Sequence, residues 1–128
     1  MIEIILPIET YSEANGRMIK NSKGVMKKEY WRATAARLKQ QREDVKKAYH
    51  DRQLTLGLPC IVEFTRISPR LLDDDNLVSA FKSIRDAVAE CLTGRGKGRG
   101  DRDPRLKFRY EQEKGSVKSI RIRFITQS

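Results

Sequence analysis

Two periods of apolar and polar residues divide the chain into strands and helices. Short stretches that alternate in polarity, or that are dense in β-branched residues, predict strands. The predicted strands are 2–6, 17–20, 25–27, 59–67, 106–111 and 117–125. Gly24 provides the turn of a small hairpin between 17–20 and 25–27. Residues 113–116 are predicted to join the last two strands as an antiparallel hairpin.

Helical spacing of apolar residues covers two longer segments, 28–50 and 76–92. One face of the first helix is formed by Trp31, Ala35, Leu38, Val45 and Tyr49. Arg42 interrupts this face, and we expect its side chain to extend outward to solvent. The second helix carries a continuous apolar stripe, formed by Leu77, Ala80, Phe81, Ile84, Val88, Cys91 and Leu92.

The order β, hairpin, α, β, α, β, β predicts a single α+β domain over residues 1–128, with a mixed sheet and two main helices. A chain of 128 residues buries roughly two-thirds of its unfolded surface, so it needs no metal or disulfide to hold a core. The strand 59–67 is apolar on both faces, which predicts a central position in the sheet.

Acidic residues are concentrated between the central strand and the second helix, in the segment LLDDDNL at 71–77. If this segment is the extended end of a strand, Asp73 and Asp75 point to one side and Asp74 to the other. Two converging carboxylates suit Mg²⁺, which binds oxygen ligands and usually sits on one or two carboxylates. The alternative is that the aspartates cap the helix and interact with its dipole.

The charge of the chain indicates its partner. Lys and Arg number 27 against 17 Asp and Glu, a formal net charge of +10. This excess favours a polyanion, and because no predicted helix pairs a basic face with an exposed aromatic face, nucleic acid is favoured over a membrane. Cys60 and Cys91 fall at apolar positions, as expected of buried thiols in a reducing, cytoplasmic compartment.

Three basic segments are candidate DNA contacts. The small hairpin carries Arg17, Lys20, Lys23, Lys27 and Lys28. The glycine-rich loop 93–104 carries Arg95, Lys97, Arg99 and Arg102. These loop side chains either close over phosphates or belong to a plain linker. The outer face of the last two strands carries Lys107, Arg109, Arg121 and Arg123. That face is either covered by an anionic partner or solvated.

Four features together resemble the RusA family of phage-associated Holliday-junction resolvases. They are LLDDDNL leading into an amphipathic helix, an aspartate shortly after that helix, a loop with Ser12 and Asn15 after the first strand, and a basic C-terminal strand pair. The resemblance extends over nearly the whole chain, and its specific motif is Asp-x-Asp-Asn. It implies a homodimeric endonuclease, dependent on Mg²⁺ or Mn²⁺, that cuts four-way DNA junctions by paired symmetrical nicks.

The resemblance places the metal ligands at Asp73, Asp75 and Asp103, with Asn76 beside them as a DNA contact. Asp101 is the alternative to Asp103, because a glycine-rich insertion precedes both.

The family commonly has a lysine four residues after the second aspartate, where this chain has Ser79. Lys82 lies close to two helical turns from Asp75, about 10 Å along the axis, and is either that cation or a surface lysine.

Such a set of residues supports metal-assisted hydrolysis of a phosphodiester, in which a cation stabilises the developing charge. Two alternatives stay open: a non-catalytic nucleic-acid-binding protein whose aspartates cap a helix, and a metal-dependent nuclease with another substrate, such as forks, flaps or RNA. Because two symmetrical nicks require two sites, the resolvase interpretation predicts a twofold dimer.

Overall fold

The computed structural model describes residues 1–12, 18–54, 56–96 and 100–126. In these ranges the chain forms a mixed α+β domain, and the predicted class is confirmed. The elements are β1 (Ile2–Leu6), β2 (Met18–Lys20), β3 (Met26–Lys28), α1 (Trp31–Asp51), β4 (Cys60–Ser68), α2 (Asp74–Ala80), α3 (Lys82–Thr93), a 3₁₀ turn (Gly100–Arg102), β5 (Leu106–Lys114) and β6 (Ser119–Thr126). None of the helices in the described ranges has the length and apolar character needed to cross a bilayer.

The four-stranded sheet has the order β1-β6-β4-β5, and β2 and β3 form a separate hairpin. Strand β4 is therefore central, as predicted. It pairs parallel with β5 and antiparallel with β6, so Val62 lies opposite both Phe108 and Phe124. Because β4 carries the most buried strand backbone, both its edges need hydrogen-bond partners.

The predicted hairpin between the last two strands is wrong, since β4 lies between β5 and β6. The connection from β5 crosses the end of β4 instead, where the Gly115 amide donates to the Ser68 carbonyl at 3.1 Å. A Cβ at Gly115 would lie 2.7 Å from Ile67 Cγ2, so this crossing has no room for a side chain.

The core lies between one face of the sheet and the helices. Side chains of β1, β4 and β6 supply its sheet side: Ile4, Val62, Phe64, Ile120, Ile122 and Phe124. The helices cover them with Val45, Tyr49, Leu77, Phe81, Ile84, Ala87, Val88 and Ala89. The predicted stripe on 76–92 is thus the core face, with Cys91 and Leu92 partly buried at its end.

The second predicted helix is two helices, because the backbone at Phe81 leaves the helical region (φ −99°, ψ 3°). Its amide donates to the Val78 carbonyl, a tighter turn than that of an α-helix. The Phe81 ring is fully buried and stacks on Phe64, with 5.2 Å between the ring centroids. Apolar spacing is unchanged by a one-residue break, which explains why the sequence predicts a continuous helix.

Helix α1 begins three residues later than predicted, and its buried apolar residues lie in its C-terminal half. Val45 and Tyr49 are buried, whereas Trp31 and Ala35 are exposed, so the predicted apolar face is wrong over the first turns. Gln41 is buried on the same side and accepts a 2.7 Å hydrogen bond from the Ser83 hydroxyl through Oε1. This bond ties α1 to α3.

The sheet face opposite the helices carries a network of ion pairs. Arg121 is within 3.0 Å of Glu3 and 2.8 Å of Glu113, and Arg123 is 3.4 Å from Glu63. Carboxylates between the strands therefore offset the like charges that the sequence indicates on this face. Lys107 and Arg109, nearer the β5 edge, are exposed.

Candidate active site

The aspartate segment is the start of a helix, not the end of a strand. Asp73 is the N-cap of α2, and its Oδ1 accepts a 2.9 Å hydrogen bond from the backbone amide of Asn76. Asp74 and Asp75 occupy the first helical turn, so the two-residue repeat expected to align Asp73 with Asp75 does not apply. The capping alternative is confirmed for Asp73. All three aspartates are exposed.

Two contacts fix the position of this helix start. The Gln112 side-chain amide on β5 makes both a 2.9 Å and a 2.6 Å hydrogen bond to the backbone of Leu72. The Ser12 hydroxyl donates to Asn76 Oδ1 across 64 residues of sequence. The loop and the motif that carry the family resemblance are therefore in direct contact.

Asp103 is held by a neighbouring cation. Its Oδ1 accepts from the Arg105 backbone amide and from Nε at 3.0 Å each, and its Oδ2 accepts from Nη2 at 2.7 Å. These hydrogen bonds lower the pKa of the Asp103 carboxyl well below its ordinary value. Both oxygens of this buried carboxylate thus have a structural partner.

A charged cleft of about 560 Å³ opens between α1, α3 and the 3₁₀ turn. Its lining residues are Arg42, Lys46, Lys82, Asp86, Glu90, Asp101 and Arg102. Three residues that the sequence nominates for chemistry or DNA contact, Lys82, Asp101 and Arg102, meet here. Arg42, expected to extend to solvent, contributes to one wall of this cleft.

Helix α3 contributes a line of charged side chains to the cleft at four-residue spacing: Lys82, Asp86 and Glu90. Glu90 forms a 2.7 Å ion pair with Lys46 of α1. Partial burial raises the pKa of Asp86, and the nearby Asp101 raises it further, while Lys82 acts in the opposite direction. A cleft carboxyl whose pKa is shifted in this way is a candidate for proton transfer.

Asp101 faces the same cleft. Its Oδ2 lies 3.5 Å from Nη2 of Arg85, while its Oδ1 is shielded from solvent and has no hydrogen-bond partner in the described part of the chain. Arg85 in turn donates to the Tyr110 hydroxyl at 3.1 Å. The carboxylate thus keeps one oxygen that a phosphate-bound cation or a water molecule can satisfy.

The three predicted metal ligands are not gathered into one group. Among residues 1–12, 18–54, 56–96 and 100–126, no set of three or more His, Cys, Asp or Glu side chains is arranged to hold a metal ion. Asp73 and Asp75 lie at the start of α2, about 10 Å long, and Lys82 follows its other end. The assignment of Asp73, Asp75 and Asp103 as ligands stays a prediction.

No sequence pattern marks Asp86 as a functional residue. Its spacing from Lys82 and Glu90 indicates a charged helix face, but such faces are usually only solvated. What distinguishes Asp86 is the packing of the 3₁₀ turn beside α3, which no local pattern encodes.

The predicted DNA-contacting cations fall in several places. Lys20 and Lys23 are exposed on the β2-β3 hairpin, and Arg95 is exposed after α3. Arg102 lines the cleft. Four residues named from the sequence lie outside the described ranges: Asn15, Arg17, Lys97 and Arg99.

Comparison of the chain with protein-family models, with curated proteins and with solved structures gave no match.

Proposed function

We propose that this protein is a metal-dependent endonuclease of the RusA type, which acts on branched DNA and resolves four-way junctions as a homodimer. The observation that carries the proposal is the cleft, where Asp86 and Asp101 stand among Arg42, Lys82 and Arg102 in a protein of net charge +10. Cations there suit phosphates, and carboxylates there suit a metal ion and a proton.

In this proposal the motif aspartates Asp73 and Asp75 are the metal ligands, and Asp101, which lines the cleft without them in the described structure, is the candidate for the third carboxylate. Asp101 is preferred to Asp103, because Arg105 occupies both oxygens of Asp103 whereas Oδ1 of Asp101 has no partner in the described chain. Oxygen donors of this kind fit Mg²⁺ and Mn²⁺. When bound, the ion supplies Lewis-acid polarisation of the phosphate and a more acidic water.

The residues of the chain perform the remaining work. Lys82 and Arg102 bind phosphate oxygens and stabilise the negative charge that develops on them. Asp86, with its raised pKa, is suited to carry the proton of the attacking water or of the leaving oxygen. Asn76 and Ser12, hydrogen-bonded to each other, hold the helix start that presents Asp75.

The first test is a cleavage assay. The purified protein is incubated with a labelled four-way junction, a fork and a plain duplex, each with Mg²⁺, with Mn²⁺ or with EDTA. We expect symmetrical nicks in the junction that disappear in EDTA. Absence of nicks with either metal would refute the nuclease.

Matched Asp→Asn variants assign the carboxylates. Asp75→Asn and Asp101→Asn should abolish cleavage and leave junction binding intact or tighter, since each removes a negative charge near phosphate. Asp103→Asn should lower the free energy of unfolding more than it lowers the rate of cleavage. Asp51→Asn, at the exposed end of α1, is the control for a lost surface charge. Normal cleavage by Asp75→Asn would refute the metal assignment.

Salt dependence identifies the phosphate contacts. The slope of log K against log salt reports the number of phosphates neutralised, and each contacting cation adds about 1 to it. Lys82→Gln and Arg102→Gln should each lower the slope by about 1. Lys39→Gln, on the exposed face of α1, should leave it unchanged. If all three variants have the same slope, the DNA does not contact Lys82 or Arg102.

The dimer is tested by light scattering, free and with a junction. We expect about twice 14.8 kDa. A monomer in both conditions would remove the paired-nick proposal. We also place the protein in the cytoplasm, which its free thiols Cys60 and Cys91 support.

A second function has its own support, namely a nucleic-acid-binding protein without catalysis. Asp73 serves as a cap and Asp103 is neutralised by Arg105, so two of the three nominated ligands have structural roles. Strong junction binding without metal-dependent nicks would select this alternative.

A further inference from the structure

Two aromatic side chains project into solvent at the start of α1. Tyr30 is 58% exposed and Trp31 is 65% exposed, with 5.7 Å between their ring centroids and 55° between their planes. The guanidinium carbon of Arg32 lies 5.1 Å from the centroid of the indole. Large aromatic rings contribute strongly to interfaces, so this exposed pair indicates a binding surface.

The chain around this pair is strongly cationic. The described residues 18–32 carry five cations and one carboxylate. The cations are Lys20, Lys23, Lys27, Lys28 and Arg32. The carboxylate of Glu29 is turned inward, because its Oε1 accepts hydrogen bonds from Thr34 and Arg37 and its side chain is only 7% exposed.

The cations and the rings are close because the chain is continuous. Lys28 ends β3 two residues before Tyr30, so their Cα atoms are at most about 7 Å apart. The hairpin of β2 and β3, which ends at Lys28, carries the further exposed cations Lys20, Lys23 and Lys27. Aromatic faces beside a cationic track are the two elements of single-strand binding sites, where bases stack and phosphates are neutralised.

We propose that Tyr30 and Trp31 form a stacking platform for unpaired bases of a nucleic acid, with Lys28 and Arg32 binding the adjoining phosphates. The bases must be unpaired, because within a duplex each base face is already covered by its neighbours. The inference builds on the proposed function, since a branch point is where such bases occur in otherwise paired DNA, but it requires only the nucleic acid and not its cleavage.

Trp31 is the only tryptophan of the chain, so its fluorescence reports on the platform directly. The intact protein is titrated with a 12-nucleotide oligothymidine, with an abasic strand of equal length, and with a blunt duplex. The abasic strand offers the same phosphates without bases. We expect strong quenching by the oligothymidine and little by the other two ligands.

Variants are compared by anisotropy of labelled strands, because Trp31→Ala removes the fluorophore. Truncating a stacking ring costs about 1–3 kcal/mol, or roughly 5-fold to 150-fold in affinity. Trp31→Ala should weaken oligothymidine binding by such a factor and leave abasic binding unchanged, while Trp31→Phe retains most affinity. Val117→Ala, 71% exposed in the β5–β6 connection, is the control for loss of an exposed apolar side chain.

Three results would overturn the platform. Equal binding of the oligothymidine and abasic strands, unaffected by Trp31→Ala, would mean phosphate contacts only. A blue shift on anionic phosphatidylglycerol vesicles without a response to DNA would mean a membrane surface. A change of oligomeric state in Trp31→Ala would mean a self-association surface.

The junction cleavage assay, run in parallel, separates this inference from the proposed function. Base-dependent quenching without nicks supports the platform and refutes the nuclease. Nicks without a change in Trp31 fluorescence support the nuclease and refute the platform.

Discussion

Gly100 is the position where a single methyl group should disturb both the fold and the cleft. A Cβ there would lie 2.5 Å from Thr93 Oγ1 and 2.8 Å and 3.0 Å from the carbonyl oxygen and carbon of Ala89. Optimal carbon contacts lie near 3.5–4.0 Å, so all three distances are too short. The Gly100→Ala change must therefore move the 3₁₀ turn away from α3.

The magnitude follows from which atoms can yield. The Thr93 hydroxyl can rotate, at the loss of its 2.7 Å hydrogen bond to the Ala89 carbonyl, worth about 1 kcal/mol. The Ala89 backbone cannot shift without distorting α3. Overpacking usually costs 1–3 kcal/mol, and we expect about 2–3 kcal/mol here. The Thr93→Ala/Gly100→Ala double variant should recover only part of the loss, because the Ala89 contacts remain.

The assay is guanidinium unfolding followed by circular dichroism, which yields the free energy of unfolding by linear extrapolation. Gly57→Ala is the matched control, because a Cβ at Gly57 has no neighbour within 4 Å. That control should be neutral or slightly stabilising. If the free energies of unfolding of Gly100→Ala and Gly57→Ala agree within about 0.5 kcal/mol, the 3₁₀ turn is not docked on α3 and Asp101 is not held in the cleft.

Three further predictions test individual side chains. Asp73→Ala should lose the helix cap, about 1 kcal/mol of unfolding free energy, while Asp73→Asn should keep it; equal losses would contradict the capping role. Because the pKa of Asp103 is lowered, its pairing with Arg105 stabilises the fold above the ordinary carboxyl pKa near 4, and this stabilisation is lost as the pH falls. Arg105→Gln should therefore flatten the acid side of the curve of unfolding free energy against pH. An unchanged curve would refute the pair. Burial raises the pKa of Cys91 to about 11. Alkylation of this thiol by iodoacetamide at pH 8 should therefore be much slower in the native than in the unfolded protein. Equal rates would contradict the burial.

Elements with a strong local period are the part of the fold that the sequence predicts well. The first strand is Ile2–Leu6 in both the prediction and the structure, and the central strand differs by one residue at each end. Alternation and β-branched density act over a few residues, so they are readable without knowledge of the rest of the chain.

Strand pairing and the helix break depend on distant residues. A short connection at 115–118 suits a hairpin locally, but β4 needs hydrogen-bond partners along both edges, and β5 and β6 supply one each. Likewise, the apolar spacing around Phe81 continues through the break, so no local pattern indicates it.

In the candidate site, too, some features are indicated by the sequence and others depend on how distant residues pack. The contact of Ser12 with Asn76 joins two segments that the family resemblance singles out. The roles of Asp101 and Asp86 depend on Gly100 packing against α3, and that of Asp103 on Arg105, two residues away. A choice between Asp101 and Asp103 therefore needed the three-dimensional arrangement.

The position of β6 inside the sheet also decides when the sheet can assemble. Within the described residues, β1 pairs only with β6, and β6 covers one edge of β4. A growing chain therefore leaves β1 unpaired and that β4 edge open until residues 119–126 have been synthesised. Open strand edges recruit other chains, so translation stalled before this strand should give aggregating rather than partly folded protein. Distant pairings of this kind also slow folding, which makes the time between synthesis and closure the vulnerable period in the life of the molecule.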